Sequence, residues 1–199
     1  MRLWTYQHPR VLHALQQGEQ YHVRWEHVPN QRWQHAFRWM AEQMQGRGIQ
    51  TGLFAPVWAW HSVNRLGGKP DWDCAYALLT DFQLMEGIDL IELEVPDHLV
   101  LLSNYGPWNE VLYRFIDGDL PRPEDATDCF AVNLKPKRGR PPHYYPDIQA
   151  CLPYLDPNWL LASEALDTAK MLEERRIALE NTLSLCRPPS TPPAQTKTD

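Results

Sequence analysis

Eighteen prolines are spread unevenly through the 199 residues, and their positions restrict where helices and strands can form. Proline has no amide hydrogen and a fixed φ, so it is excluded from helix interiors and central strands. Prolines cluster in an acidic loop at 121–123, in a basic loop at 134–146 and in a tail at 187–199. The tail is rich in Ser, Thr, Gln and Lys, and we expect it to be disordered. We therefore expect one folded domain within residues 1–186.

Charge, hydropathy and cysteine spacing favour a soluble globular domain over a membrane protein or a disulfide-rich protein. The net charge of −6 and the 43% of hydrophobic residues are typical of a soluble globular domain. The longest apolar stretch, at 53–60, is far shorter than the roughly 20 residues that cross a bilayer, and no basic segment followed by an apolar one opens the chain. The four cysteines are far apart and form no C-x-x-C pair, which argues against a zinc ribbon or a disulfide framework. We expect a cytoplasmic protein without membrane contact.

Hydrophobic periodicity predicts an irregular mixture of strands and helices. The clearest strand is 90–95, whose alternation places Ile91, Leu93 and Val95 on one face and Glu92 and Glu94 on the other. The clearest helix follows Asn30, a plausible N-cap. Further strands are predicted at 3–7, 21–25, 52–60, 99–102 and 148–155, and helices at 9–17, 30–45, 73–82, 107–116 and 164–185. This order predicts an α+β fold with a small mixed or antiparallel sheet and a long C-terminal helix.

The basic loop contains the sharpest local motif of the chain. The motif resembles the AT-hook, in which a Gly lets the backbone lie deep in the minor groove while Arg side chains extend along its floor. Removing the four cations of the loop from the net charge of −6 leaves −10, so we expect any nucleic-acid contact to be confined to this loop. A solvated charged connector is the alternative. The predicted nucleic-acid-binding residues are Lys135, Lys137, Arg138, Gly139, Arg140 and Pro141.

Several segments together resemble one uncharacterised bacterial family, a domain of unknown function that opens with a Leu-Trp-Thr-x-Gln strand. The segments are Leu3-Trp4-Thr5-Tyr6-Gln7, Trp39-Met40 with Gln43-Met44, Pro56-Val57-Trp58-Ala59-Trp60, and Leu90-Ile91-Glu92-Leu93-Glu94-Val95-Pro96 followed by Trp108. The resemblance covers roughly residues 2–116. The resemblance implies that the chain has relatives, but it implies no activity, because the family is uncharacterised.

The order of these segments also resembles, more distantly, the ADP-ribosyltransferase fold. That resemblance implies that Thr5 and Gln7 hold NAD and that Trp58 or Trp60 stacks on its nicotinamide. The late strand of that fold carries a glutamate, but this chain has Gln149 at the corresponding position. Glutamine can orient a ribose hydroxyl but cannot supply charge or act as a base.

Glu92 or Glu94 is therefore the expected substitute for the missing carboxylate. The function implied is an NAD-using ADP-ribosyltransferase-like protein that acts on nucleic acid or a nucleic-acid-bound target, in phage–host conflict or a toxin–antitoxin setting. Two alternatives stay open. One is a non-catalytic accessory protein that binds DNA or a protein partner, and the other is a metal-dependent nuclease.

Histidines and acidic residues supply the remaining catalytic candidates. His61 directly follows the Trp58 and Trp60 strand and precedes a Gly-Gly loop, so it is the histidine we expect to act as an acid or base. Asp71 followed by Glu92-x-Glu94 distantly resembles the acidic cluster of restriction-type nucleases. No histidine motif with ligand spacing occurs, so we predict no metal site.

Overall fold

One antiparallel sheet of six strands forms the centre of the fold. The computed structural model describes residues 1–135 and 147–185. In these residues the strands are β1 (Arg2–Gln7), β2 (Val57–Ser62), β3 (Asp89–Glu94), β4 (Leu101–Asn104), β5 (Ile148–Leu152) and β6 (Leu160–Ala165). The helices are α1 (Pro9–Gln16), α2 (Gln31–Gln45), α3 (Trp72–Leu78), α4 (Asp81–Glu86), α5 (Tyr105–Asp117), α6 (Pro123–Phe130) and α7 (Thr168–Leu185).

The strand order across the sheet is β4-β5-β2-β1-β3-β6, and every neighbouring pair is antiparallel. The predicted α+β class is confirmed, and the sheet is antiparallel rather than mixed. β1, the first strand of the chain, lies near the middle of the sheet between β2 and β3. Its position makes the opening segment part of the core.

Helices pack on both faces of the sheet. Val11 and Leu15 of α1 pack on the face that carries Leu3 and Ile91. The opposite face is covered over β4 and β5 by α2, α5 and α6, where Leu101 and Cys151 meet residues such as Met40. α3, α4 and α7 form a third, smaller cluster with Tyr6 at its border. No helix in the described part of the chain has both the length and the apolar character needed to cross a membrane.

Local sequence signals located the best-formed elements correctly. Asn30 is the N-cap of α2, and its Oδ1 accepts a hydrogen bond from the Trp33 amide at 3.1 Å. In β3 the predicted alternation holds, since Ile91 and Leu93 are fully buried while Glu92 and Glu94 are on the other face. Pro9 begins α1 at a position where the missing amide hydrogen costs nothing.

Two predicted strands differ from the structure. Residues 21–25 form only two isolated bridges, Tyr21 with Leu155 and Val23 with Ala55, before a short 3-10 helix begins at Trp25. The strand predicted at 52–60 begins at Val57, because Pro56 cannot donate a ladder hydrogen bond within a central strand. Strand β2 then continues two residues beyond Trp60, with a bulge before Ser62.

The carboxyl-terminal third holds the largest errors of prediction. Residues 160–165 form the edge strand β6, which was not predicted, and the long helix begins at Thr168 rather than at Glu164. Helix α6 was not predicted either; it begins at Pro123, at the end of the acidic loop, with the proline in its first turn. The predicted helix at 73–82 is two helices, α3 and α4, separated by the N-cap Thr80. The predicted tail at 187–199 lies outside the described residues.

Candidate functional site

A row of side chains crosses the whole sheet on one face. Directly opposite residues on neighbouring strands point to the same face, so the strand register defines the row. Gln149 lies opposite both Ser103 and Trp60, Trp60 lies opposite Trp4, and Trp4 lies opposite Glu92. The row is completed by Ala162 on β6. We call Ser103, Gln149, Trp60, Trp4, Glu92 and Ala162 the cross-sheet row.

Four polar atoms in and beside the cross-sheet row are buried and have no hydrogen-bond partner among the residues that the structure describes. They are Ser103 Oγ, Gln149 Oε1 and Trp4 Nε1 in the row, and Trp58 Nε1 two residues from Trp60 on the same face. Ser103 is fully buried, and Trp4 and Gln149 are 6% and 8% exposed. Each unpaired buried group costs about 1–3 kcal/mol of stability. Such groups persist where a bound water or ligand supplies the missing partner.

A groove opens beside the part of the cross-sheet row that runs from Trp4 through Glu92 to Ala162. Its volume is about 290 Å³, including the space open to solvent. We call it the Trp4 groove. It is lined by Trp4, Lys69, Leu90, Glu92, Ala162, Ser163 and Glu164. The groove therefore combines an indole with an unpaired N–H, two carboxylates and one ammonium group.

Ion pairs hold the charged side chains of the Trp4 groove in place. Glu92 is 23% exposed, and its Oε1 lies 3.0 Å from Arg2 Nε. Glu164 Oε2 lies 2.5 Å from Lys69 Nζ, and both of these side chains are about half exposed. Glu92 is thus the more buried of the two carboxylates and lies directly beside Trp4 in the sheet.

The loop that leaves β2 carries Lys69 and has a constrained backbone. Asn64 has φ of 60°, a left-handed conformation, and its amide donates to Asp147 Oδ1 at 2.7 Å. Ser62 Oγ accepts a hydrogen bond from the Gly67 amide at 2.8 Å. A Cβ on Gly68 would lie 2.3 Å from the carbonyl oxygen of Val63, so only glycine fits there. These restraints fix the backbone on the amino side of Lys69.

His61 lies at the edge of this loop in a partly buried position. Its Nδ1 is 2.7 Å from Ser62 Oγ. Because that hydroxyl oxygen already accepts from Gly67, its proton is available to His61 Nδ1, which favours the tautomer with the proton on Nε2. Burial, together with the positive charge of the amino terminus, lowers the pKa of His61. The imidazole is not among the residues lining the Trp4 groove.

The two residues expected to hold NAD on β1 lie on the opposite face of the sheet. Thr5 is fully buried opposite Ile91, and its hydroxyl donates to the Trp58 carbonyl oxygen at 2.7 Å. Gln7 Nε2 donates to Thr5 Oγ1 at 2.7 Å. The structure thus separates Thr5 and Gln7 from the face that carries Trp60, and their polar groups bond to each other and to the backbone.

The other predicted residues do not share one location. Trp58 packs against Trp108 and Phe37, with ring centroids 4.6 and 5.2 Å away, as a core side chain does. Glu94 is 58% exposed, pairs with the amino group of Met1 and lies outside the groove. Lys135 is exposed, whereas Lys137, Arg138, Gly139, Arg140 and Pro141 lie outside the described residues.

Sequence reasoning did not identify Trp4, Ser103, Lys69 and Glu164 as site residues. The alternation within 2–7 already separates Trp4 from Thr5, and the Gly-Gly pair before Lys69 marks a constrained loop. The pairing of Ser103 with Gln149 depends on strand register, which no local signal reveals.

Acidic residues of the nuclease alternative have other roles here. Asp71 is the N-cap of α3, and its Oδ1 accepts from the Cys74 amide at 3.0 Å. Within residues 1–135 and 147–185, no group of three or more His, Cys, Asp or Glu side chains could hold a metal ion.

Fold and site together define an α+β protein with a charged, tryptophan-lined groove on one face of an antiparallel sheet. The chain belongs to a family described as a domain of unknown function, DUF3841, whose model matches residues 2–125. The resemblance to a family of unknown function is thereby confirmed. No curated protein and no solved structure matches the chain. The match includes Trp4, Lys69 and Glu92, while β5 and β6 lie beyond it.

Proposed function

We propose that this chain is an ADP-ribosyltransferase-like protein that binds the nicotinamide riboside end of NAD in the Trp4 groove. The observation that carries the proposal is the position of Glu92, which lines the groove and lies directly opposite Trp4 in the strand register. A carboxylate is the group that the late strand lacks at Gln149. Glu92 would supply it on the same face, three positions further along the row.

The chemistry of the groove fits the nicotinamide end of the dinucleotide. The Trp4 indole lines the groove and offers an apolar edge against which a planar ring can lie. Glu92 offers negative charge for a pyridinium or for a ribose carbon that becomes positive. The volume that a ligand can occupy is about 100 Å³, below the roughly 300–1,000 Å³ of ligand sites, so the groove would hold the nicotinamide ring and leave the rest of NAD in the part open to solvent.

Glu92 would act when the bond between the ribose C1′ and the nicotinamide nitrogen breaks. The electron pair of that bond leaves with nicotinamide, which becomes neutral. C1′ then forms a bond to the oxygen of water or to a nucleophile of the target, whose proton passes to Glu92 or to solvent. The ion pair with Arg2 orients the Glu92 carboxylate during this step.

The target and its setting are expectations drawn from the sequence. A nucleic-acid partner would contact the basic loop that begins beside Lys135, and the protein would act in the cytoplasm, in phage–host conflict or a toxin–antitoxin setting. A non-catalytic protein that binds DNA or a protein partner is the alternative function, and it predicts no turnover of NAD.

Release of nicotinamide from NAD tests the proposal. Glu92→Gln is expected to lower the rate by about 100-fold or more, because it removes the charge that stabilises the transition state. Glu94→Gln is the matched control, since Glu94 lies on the same strand and face but outside the groove, and it is expected to keep the wild-type rate. Equal rates in the two variants, or no turnover by the wild-type protein, would contradict the proposal.

A further inference from the structure

We propose that Lys69 recognises the diphosphate of the dinucleotide and that Glu164 occupies the place of the diphosphate when no ligand is bound. The inference rests on the proposed function, because it concerns the same groove. It assigns each of these two residues a role in ligand recognition.

The geometry places a single cation among the groove residues. Of the described residues lining the Trp4 groove, Lys69 alone is positively charged, and its Nζ lies 2.5 Å from Glu164 Oε2. Arg2, the other nearby cation, pairs with Glu92 instead. An anionic group entering the groove would therefore meet Lys69 as its partner.

The Lys69–Glu164 pair joins two distant parts of the sheet. Lys69 follows β2, whereas Glu164 is on the edge strand β6, and β1 and β3 lie between these strands. The loop after β2 thus reaches across β1 and β3 so that Lys69 meets Glu164. The pair spans the region that a ligand would occupy.

Exchange of Glu164 for a phosphate is energetically accessible. Exposed ion pairs contribute only about 0–1 kcal/mol, and here the exposed fractions are 48% for Lys69 and 61% for Glu164. The diphosphate as a whole carries two negative charges and four non-bridging oxygens, against one charge and two oxygens for a carboxylate, so its bonds to an ammonium group are at least as strong. Opening the pair therefore costs little compared with what a diphosphate would gain.

The backbone before Lys69 is held in one conformation. Gly68 has no space for a Cβ, and Gly67 has φ of 66° and donates to Ser62 Oγ. The ammonium group is thus presented from a constrained loop, which reduces the entropy lost on binding. Trp4, which lines the same groove and is 6% exposed, has an Nε1 atom without a hydrogen-bond partner among the described residues.

Calorimetric titration of the full chain with ADP-ribose and with nicotinamide tests the inference. Glu164→Gln frees Lys69 and is expected to raise the affinity for ADP-ribose by about fivefold at low salt, which corresponds to the ~1 kcal/mol of an exposed pair. Lys69→Met is expected to lower that affinity by about tenfold or more. Neither change should alter the affinity for nicotinamide, which has no phosphate.

Two control variants remove exposed charges on α7, outside the residues that line the groove. Glu173→Gln breaks the pair with Arg176 on α7, and Lys170→Met removes a cation of the same helix. Both are expected to bind ADP-ribose as the wild type does. Unchanged ADP-ribose affinity in Glu164→Gln and Lys69→Met, with nicotinamide still bound, would overturn the role of Lys69 and leave the proposed function standing. If the wild type binds neither ADP-ribose nor nicotinamide, both the role of Lys69 and the proposed function are overturned.

Discussion

Gln149 lies directly opposite Trp60 in the register of β5 and β2, and both side chains are buried on the same face of the sheet. The Gln149 Oε1 has no hydrogen-bond partner among the described residues. A buried amide beside an indole adds no stability unless its polar atoms are paired.

Replacing Gln149 with methionine is expected to stabilise the protein. The substitution keeps the volume roughly constant and removes an unpaired acceptor, so the free energy of unfolding should rise by about 1–2 kcal/mol. Urea denaturation measures the change. Gln83→Met is the matched control, because the Gln83 Oε1 accepts from the Thr80 amide in a capping box, and there we expect a loss of stability instead. A loss in both variants would argue that Gln149 is paired in solution.

Gly68→Ala is expected to destabilise the loop that carries Lys69. The new Cβ would meet the Val63 carbonyl oxygen at 2.3 Å, so the backbone must move, at a cost on the order of 1–3 kcal/mol. Gly106→Ala is the control, since its Cβ would have no neighbour within 4 Å and the residue lies in α5, where alanine is favourable. Thermal unfolding compares the two variants, and equal melting temperatures would contradict the packing described for Gly68.

The sequence predicted those elements whose signals are local. Asn30 and the periodicity after it locate α2, and the alternation in 90–95 locates β3. Strand β6 has no such signal, because its residues are mostly exposed and include helix-favouring Leu, Ala and Glu. It forms by pairing with β3, some 70 residues earlier in the chain, and tertiary pairing of this kind overrides local propensity.

The candidate site was predictable only in part, for the same reason. Trp60, Gln149 and Glu92 were all expected site residues, and the structure aligns them in one row. Thr5 and Gln7 were assigned to the same site, yet a shift of one residue along a strand moves a side chain to the other face. Which strands are neighbours, and in what register, depends on long-range contacts that sequence patterns do not contain.

Stability should depend on pH through His61. Its pKa is lowered in the folded protein, so the unfolded chain binds more protons in the window between that lowered value and about 6.5, the ordinary histidine value. Stability should therefore rise with pH through this window and level off above about pH 7. Urea denaturation at pH 5 and pH 7.5 is expected to show a smaller pH difference in His61→Gln than in the wild type. The same difference in both proteins would exclude this role of His61.

The basic loop is expected to bind A·T-rich duplex DNA. Binding should weaken steeply with salt, with a slope of log K against log salt no steeper than about −4 for four phosphate contacts. Replacing both Arg138 and Arg140 with alanine should abolish the preference for A·T-rich sequence without changing the melting temperature. Equal retention of the wild type and the double variant on A·T-rich DNA at low salt would instead indicate a solvated connector.

Hydrogen–deuterium exchange with and without NAD tests the central claim most directly, because it distinguishes the two faces of the sheet. We expect NAD to slow exchange in the loop at 62–71 and in the exposed edge strand β6, which both border the Trp4 groove. Exchange in α1, which packs on the face of Thr5 and Gln7, should stay unchanged. Unaltered exchange at saturating NAD, or protection confined to α1, would contradict the account.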